Sequence, residues 1–143
     1  MAATEGLNIA GARVQVLVSS HDTGGRYTIC EVETAGRNGP PLHAHRYEDG
    51  FFYILEGEFD FQLAGKAITA GPGTSIFIPR QTAYAFRGKD DKGRFLVLTH
   101  PGGLDLFFHD VKAVVQGQQP ILERLVPVLE KHGIVISPKL ESG

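Results

Sequence analysis

The chain has little of what would tie it to an oxidising compartment or to a nucleic acid. Only one of its 143 residues is a cysteine, and its formal net charge is -2. A single cysteine forms no internal disulfide, and a chain without excess basic charge lacks the electrostatic footprint of a nucleic-acid-binding protein. Cys30 lies in a strand-like apolar run and is interpreted as a core residue, which favours a reducing, cytoplasmic location.

Long hydrophobic runs are absent as well. No apolar stretch approaches the roughly 18 residues that indicate a transmembrane helix. The segment 1–6 has neither the basic start nor the apolar core of a signal peptide. We therefore expect no leader and no membrane partner. The length predicts a single domain over residues 1–143.

Glycine and proline, in contrast, are plentiful, with 18 and 8 residues. They divide the chain into short alternating segments, a texture typical of an all-β antiparallel sandwich or barrel, here expected over residues of about 10–100. Ala12–Ser19 and Glu58–Leu63 alternate apolar and polar residues. Gly50–Leu55 is apolar at nearly every position, which predicts a strand covered on both faces. Asp22–Gly25 is predicted to be a turn, and Arg94–His100 the last strand of the barrel.

The periodicity changes from two to about 3.6 after Gly103, which predicts two helices over residues of about 103–132. Pro120 is a plausible start and Gly133 a plausible stop for the second helix. We expect the helices to pack outside the barrel or against a second copy, giving a homodimer. Ile134–Gly143 is expected to be extended or loose. The two apolar stripes consist of Leu104, Phe107, Phe108, Val111 and Val115, and of Ile121, Leu122, Leu125, Val128 and Leu129.

Two histidines one residue apart, His43 and His45, follow the stiff run Gly39–Leu42. In a strand, residues i and i+2 point to the same face, so both imidazoles lie side by side. Such a pair is suited to holding a metal ion, donating a proton or binding an anion.

The order of strands and motifs resembles the cupin superfamily, whose fold is a double-stranded β-helix, or jelly roll. Within it, the chain is most similar to single-domain cupins grouped with quercetin dioxygenases and polyketide cyclases. The stretches that carry the resemblance are Asp22–Gly25, Gly39–His45, Phe52–Glu58, Ala70–Gly73, Phe77–Arg80 and Pro101–Leu104.

The resemblance implies a metal site that is only half present. His43 and His45 match the first two histidine ligands of the family. Gly50 stands where the family has a glutamate, Tyr84 where it has a third histidine, and Gln81 where it has a glycine. Because divalent transition metals in catalytic sites usually have at least three protein ligands, two imidazoles predict weak or absent metal binding.

Three residues are candidates to complete the site: Glu48, Asp49 and His100. Strict strand alternation directs Asp49 away from the face that Gly50 shares with Phe52, whereas a local turn would bring a neighbouring carboxylate inward. His100 supplies an imidazole only if its side chain faces inward. The sequence leaves these three alternatives open.

The predicted function is that of a cupin-type enzyme acting on an aromatic or other compact organic molecule in the barrel. His43 and His45 would transfer protons and Tyr84 would donate a hydrogen bond to an oxyanion or enolate. The predicted pocket walls are Phe52, Phe59 or Phe61, Ile78 and Phe86. Non-redox isomerisation, cyclisation or dehydration, or a metal-assisted reaction, is favoured. The alternatives are a metal-dependent, dioxygenase-like cupin and a barrel that binds a small ligand without catalysis.

Overall fold

The computed structural model describes residues 7–9, 12–115 and 122–136. Within these ranges the chain forms eleven strands and three helices. In chain order they are β1 (Leu7–Ile9), β2 (Ala12–Val18), α1 (Ser20–Thr23), β3 (Thr28–Ala35), β4 (His43–His45), β5 (Asp49–Glu56), β6 (Phe59–Leu63), β7 (Lys66–Ala70), β8 (Ser75–Ile78), β9 (Tyr84–Gly88), β10 (Lys92–His100), α2 (Leu104–Val115), α3 (Leu122–Lys131) and β11 (Ile134–Ile136).

The strands form two antiparallel sheets that face each other. One sheet has the order β1-β2-β3-β10-β5-β8 and the other has the order β11-β4-β9-β6-β7. Several neighbouring strands, such as β3 and β10 or β4 and β9, are distant in sequence, as a jelly roll requires. This arrangement confirms the predicted double-stranded β-helix with C-terminal helices. None of the helices in the described ranges combines the length and apolar character needed to cross a membrane.

The core lies between the sheets and is rich in aromatic side chains. Phe59, Phe61 and Phe95 are at most 2% exposed. Their rings pack edge-on or tilted against Phe52 and Phe86 with centroids 5.2–6.3 Å apart. Aromatic rings in such arrangements bury large apolar areas and favour one packing geometry. Phe59 and Phe61 therefore lie in a closed, tightly packed part of the core.

Two predictions about individual strands and turns are wrong. The strand Gly50–Leu55 is not covered on both faces, because Phe51 and Tyr53 are 40% and 38% exposed on the outer side. Asp22 and Thr23 of the predicted turn Asp22–Gly25 belong instead to the short helix α1. Ser19 and Asp22 form a capping box at its start, and Gly24 ends it with a φ of 64°. The capping box was visible in the sequence as a serine three residues before an acidic residue.

The C-terminal part differs more from its prediction. Ile134–Ile136 is the strand β11, which pairs with β4, so β10 is not the last strand. The helices form as predicted, and α3 ends before Gly133, whose φ is 70°. Pro120 and Ile121 lie outside the described residues. The apolar side chains of α2 and α3 do not pack on the outside of the barrel, because several line its cavity, as described below. These side chains therefore have partners within the chain, and the homodimer expected from the two stripes stays a prediction.

Candidate functional site

Strand β4 carries both histidines and lies between β9 and β11. His43 pairs with Tyr84 of β9 on one side and with Ile136 of β11 on the other. The backbone N–H of Gln81 donates a hydrogen bond of 2.7 Å to the carbonyl of His45. Gln81 has a φ of 67°, the left-handed region that favours glycine, so this contact is made at a backbone position that costs some energy for glutamine. The strand with the histidines is thus held on both edges.

The imidazole of His43 is buried and neutral. Its Nδ1 lies 2.8 Å from the carbonyl oxygen of Pro41. Because a carbonyl only accepts hydrogen bonds, Nδ1 carries the proton and Nε2 keeps the lone pair. Burial, reinforced by the neighbouring His45, lowers the pKa of His43 to about 4. His43 is therefore a hydrogen-bond acceptor at neutral pH, and not an acid.

Tyr84 lies against both imidazoles, where its sequence position predicts it. Its hydroxyl is 3.5 Å from Nε2 of His45, and its ring centroid is 4.3 Å from that of His43. The side chain is buried. Burial and, less strongly, the charge of Glu48 raise the pKa of Tyr84 above its usual value of 10. The phenol therefore stays protonated, which makes it a hydrogen-bond donor and a poor metal ligand.

Glu48 completes a cluster with His43, His45 and Tyr84. The sequence alone leaves it as one of three alternatives. Its Oε1 lies 3.6 Å from Nδ1 of His45, and the two side chains are only 13% and 14% exposed. That distance is too long for a hydrogen bond, and among the described residues Oε1 has no hydrogen-bond partner although it is buried. The segment between β4 and β5 turns the side chain of residue 48 inward. Its spacing of three residues from His45 was the available signal.

The other candidates point elsewhere. Asp49 binds Arg80 through the backbone N–H at 2.8 Å and the guanidinium at 3.3 Å. Nδ1 of His100 is 2.8 Å from the carbonyl of Arg26 on an exposed edge. Neither residue reaches the cluster. His132, which directly follows α3, has its Nε2 2.7 Å from Asp110 and connects the end of α3 to α2.

A cavity of about 500 Å³ opens beside the cluster, a volume within the usual range for small-molecule sites. The predicted wall residues Phe52, Ile78 and Phe86 line it, whereas Phe59 and Phe61 lie behind them in the closed core. The sequence prediction missed the cover of this cavity. The cover consists of Leu104, Phe107, Phe108 and Val111 of α2, Leu125 and Leu129 of α3, and Ile134 and Ile136 of β11.

Gly50 leaves room at the position where the family has a glutamate. It pairs with Ile78 of β8 and with Thr99 of β10, and it lines the cavity. A Cβ atom built at Gly50 would have its nearest neighbours at 3.9–4.0 Å, on Phe52 and Ile78, which is ordinary van der Waals contact. The cavity therefore extends to where a carboxylate would stand.

The donor set of this chain does not fit a firmly held metal ion. Among the described residues, no three histidine, cysteine, aspartate or glutamate side chains lie together in a way that could hold one. His43 and His45 offer two imidazoles, and the fixed Nδ1–H of His43 leaves its Nε2 available. Glu48 approaches His45 from the Nδ1 side, and the protonated Tyr84 adds no anion. Two neutral donors fall short of the three protein ligands usual in a catalytic centre.

Comparison with known proteins supports the fold and the motifs. The sequence model of the cupin domain family matches residues 30–101. Quercetin 2,3-dioxygenase of Bacillus subtilis (strain 168) is 24% identical over 105 residues, which are 72% of this chain and 31% of that protein. The chain therefore spans about a third of the length of that relative.

Two solved structures extend the comparison. The structure of KdgF from Halomonas sp. superposes with a TM-score of 0.65 at 16% identity, covering 72% of this chain and 91% of the other. The polyketide cyclase RemF from Streptomyces resistomycificus has a TM-score of 0.56 at 29% identity, covering 69% and 72%. Proteins with these architectures thus include enzymes named for different reactions.

Proposed function

Because the chain belongs to the cupin domain family, we propose that it is a cupin-type enzyme that transfers protons on a compact organic substrate. The reactions that fit are isomerisation, cyclisation and dehydration, each of which moves a proton next to a developing oxyanion or enolate. The observation that carries the proposal is the contact of the Tyr84 hydroxyl with Nε2 of His45 at the wall of an apolar cavity. The names of RemF and of the Bacillus enzyme support small organic substrates as a class.

In this mechanism Tyr84 and His45 have complementary roles. His45 removes a proton from a carbon or hydroxyl group of the substrate, because an imidazole is the side chain that most often serves as a general base. Tyr84 donates its hydrogen bond to the oxygen on which negative charge develops, and its raised pKa ensures that the proton is present. The contacts of 3.5 Å and 3.6 Å around His45 are long, as catalytic contacts often are before a substrate binds.

His43 has a supporting role in the same site. Its neutral ring lies 4.3 Å from the ring of Tyr84 and 5.2 Å from that of His45, measured between centroids. A neutral neighbour adds no positive charge that would compete with protonation of His45. Its Nε2 lone pair accepts a hydrogen bond from a substrate hydroxyl or from water. This assignment keeps His43, His45 and Tyr84 as the catalytic group.

A metal-assisted reaction is a second candidate, favoured by one observation. A metal-binding histidine commonly donates its other ring N–H to a carbonyl or carboxylate, as His43 does toward Pro41. His43 and His45 would hold such an ion, which would act as a Lewis acid toward a substrate oxygen. The shortage of a third donor makes this candidate the weaker one.

A proton-exchange assay tests the proposal without knowledge of the natural substrate. Deuterium incorporation into 1-indanone, a neutral bicyclic aromatic ketone, is followed by NMR in deuterated buffer. We expect the protein to accelerate the exchange, and Tyr84→Phe to reduce that acceleration by about a hundredfold, the usual cost of one lost oxyanion donor. Tyr53→Phe, at an exposed tyrosine on the outer face, is the matched control. A protein that binds such ketones but exchanges none of their protons would instead be a non-catalytic binding barrel.

A further inference from the structure

The polar side chains that line the cavity differ in whether they already have a hydrogen-bond partner. Thr99 shares a hydrogen bond of 2.7 Å with Thr28, and the amide of Asn38 donates to a backbone carbonyl at 3.0 Å. The hydroxyl of Thr34 reaches a backbone carbonyl at 3.5 Å. Each of these groups already has a partner in the protein. In the described ranges the polar side chains that line the cavity are Thr34, Asn38, His43, His45, Glu48, Tyr84 and Thr99.

Glu48 differs from the rest. Its Oε1 is buried without a hydrogen-bond partner, and it is the one buried side-chain oxygen or nitrogen in the described residues of which this is true. A buried, unpaired carboxylate oxygen costs free energy until a donor reaches it. Nδ1 of His45 approaches Oε1 only to 3.6 Å, and Glu48 lines the cavity, so a ligand in the cavity can supply the missing donor.

The cavity also lacks positive charge. No lysine or arginine lines it within the part of the chain that the structure describes. Arg80, at the end of the matching stretch Phe77–Arg80, forms an ion pair with Asp49. An anionic ligand would therefore be buried without a counter-ion and beside the carboxylate of Glu48. Both the loss of its hydration and the repulsion between like charges are unfavourable.

From these observations we infer that Glu48 is a specificity-determining residue, which selects ligands with a neutral hydroxyl donor and rejects their anionic analogues. The inference rests on the proposed function only in using the same cavity. The ligand hydroxyl donates to Oε1 of Glu48, and the apolar body of the ligand lies among Phe52, Phe86 and the side chains of α2 and α3. A neutral hydroxyl is favoured over an ammonium because burying a second charge in an apolar cavity adds a desolvation cost.

Equilibrium binding of three matched probes tests the inference. The probes are 2-naphthol, 2-naphthoate and 2-naphthylmethylammonium, which at neutral pH are neutral, anionic and cationic and share one ring system. We expect 2-naphthol to bind the full chain at least about tenfold more tightly than 2-naphthoate, the cost of one unmatched buried polar group. Glu48→Gln should reduce this ratio by about tenfold, mainly because the naphthoate binds better.

Asp49→Asn is the matched control. It removes the same charge at the neighbouring position, where the carboxylate binds Arg80 and does not line the cavity. It should leave the ratio unchanged. The inference is overturned if naphthoate binds the natural chain as tightly as naphthol, if Glu48→Gln leaves the ratio unchanged, if the ammonium binds best, or if none of the probes binds. Because binding is measured without turnover, a failed proton-exchange assay with an intact naphthol preference would reject the proposed enzyme and retain this selectivity.

Discussion

The barrel interior has a closed half and a half that contains the cavity. Both halves are rich in aromatic side chains, but they differ in how completely their side chains are packed and hydrogen-bonded. In the closed half, Phe59 and Phe61 are almost fully buried and each ring contacts other aromatic rings. In the half with the cavity, Tyr84 and His45 meet at 3.5 Å and Glu48 has an oxygen with no partner. Natural cores are packed closely, so groups left incompletely paired mark places where function outweighs stability. The difference locates the site independently of any motif.

The largest expected effect is in the closed half. Phe59 is fully buried, and a side chain at Gly93 would collide with its ring, so the surroundings cannot easily collapse into a void. Phe59→Ala should lower the free energy of unfolding by about 3–5 kcal/mol. Chemical denaturation measures this loss, and Tyr84→Phe, which keeps the ring, should cost about 1 kcal/mol or less. Equal losses for the two variants would contradict the comparison.

A pH titration of stability distinguishes the halves next. The pKa of His43 is about 4 in the folded chain and ordinarily 6.5. Between these two values, His43 binds a proton in the unfolded chain but not in the folded chain. The free energy of unfolding should therefore fall by about 3 kcal/mol as the pH drops from 6.5 to 4. The same measurement on His43→Gln should show a flatter profile in this window.

The acidic groups with lowered pKa act outside that window. Asp22, Asp49 and Asp110 have ordinary values of 3.8 and lower values here, so their contributions are lost only below that pH. If the His43→Gln profile between pH 6.5 and 4 matches that of the natural chain, the neutral, buried state assigned to His43 is wrong.

A smaller effect is expected from restoring the missing ligand. Gly50→Glu places a carboxylate in open space beside the cavity, so binding of Zn²⁺ measured by calorimetry should strengthen by about tenfold or more. The natural chain should bind the ion weakly or substoichiometrically. Gln62→Glu, which adds the same charge on an exposed position of β6, is the control. A natural protein that retains one equivalent of metal through dialysis against a chelator would show that the donor count is wrong.

The sequence predicted the parts of this molecule that depend on local pattern. Alternation and glycine spacing predicted an antiparallel β-domain, and the resemblance to cupins predicted the jelly roll and the position of Tyr84 opposite the histidines. They were not enough for Glu48, because its orientation depends on the path of a short loop. Gln81 was visible as a departure from a family glycine, but its positive φ and its bond to His45 appear only in three dimensions.

The C-terminal region shows a second limit of sequence reasoning. The apolar stripes of α2 and α3 indicate that these faces are buried, but not against what. Burial against the outside of a sheet, a second copy or an open cavity produces the same period of about 3.6. The pairing of Ile134 and Ile136 with the two histidines depends on contacts about 90 residues apart in sequence, which no local pattern reports. The cover of the site was therefore assigned to the wrong surface.

The central claim is that the cluster of His45, Tyr84 and Glu48 transfers protons without a firmly bound metal. The most direct measurement is the rate of deuterium exchange into 1-indanone by protein dialysed against a chelator, with and without added Zn²⁺ or Mn²⁺. The account predicts the same acceleration in all three samples. Loss of the acceleration after dialysis, with recovery on adding the ion, would contradict it.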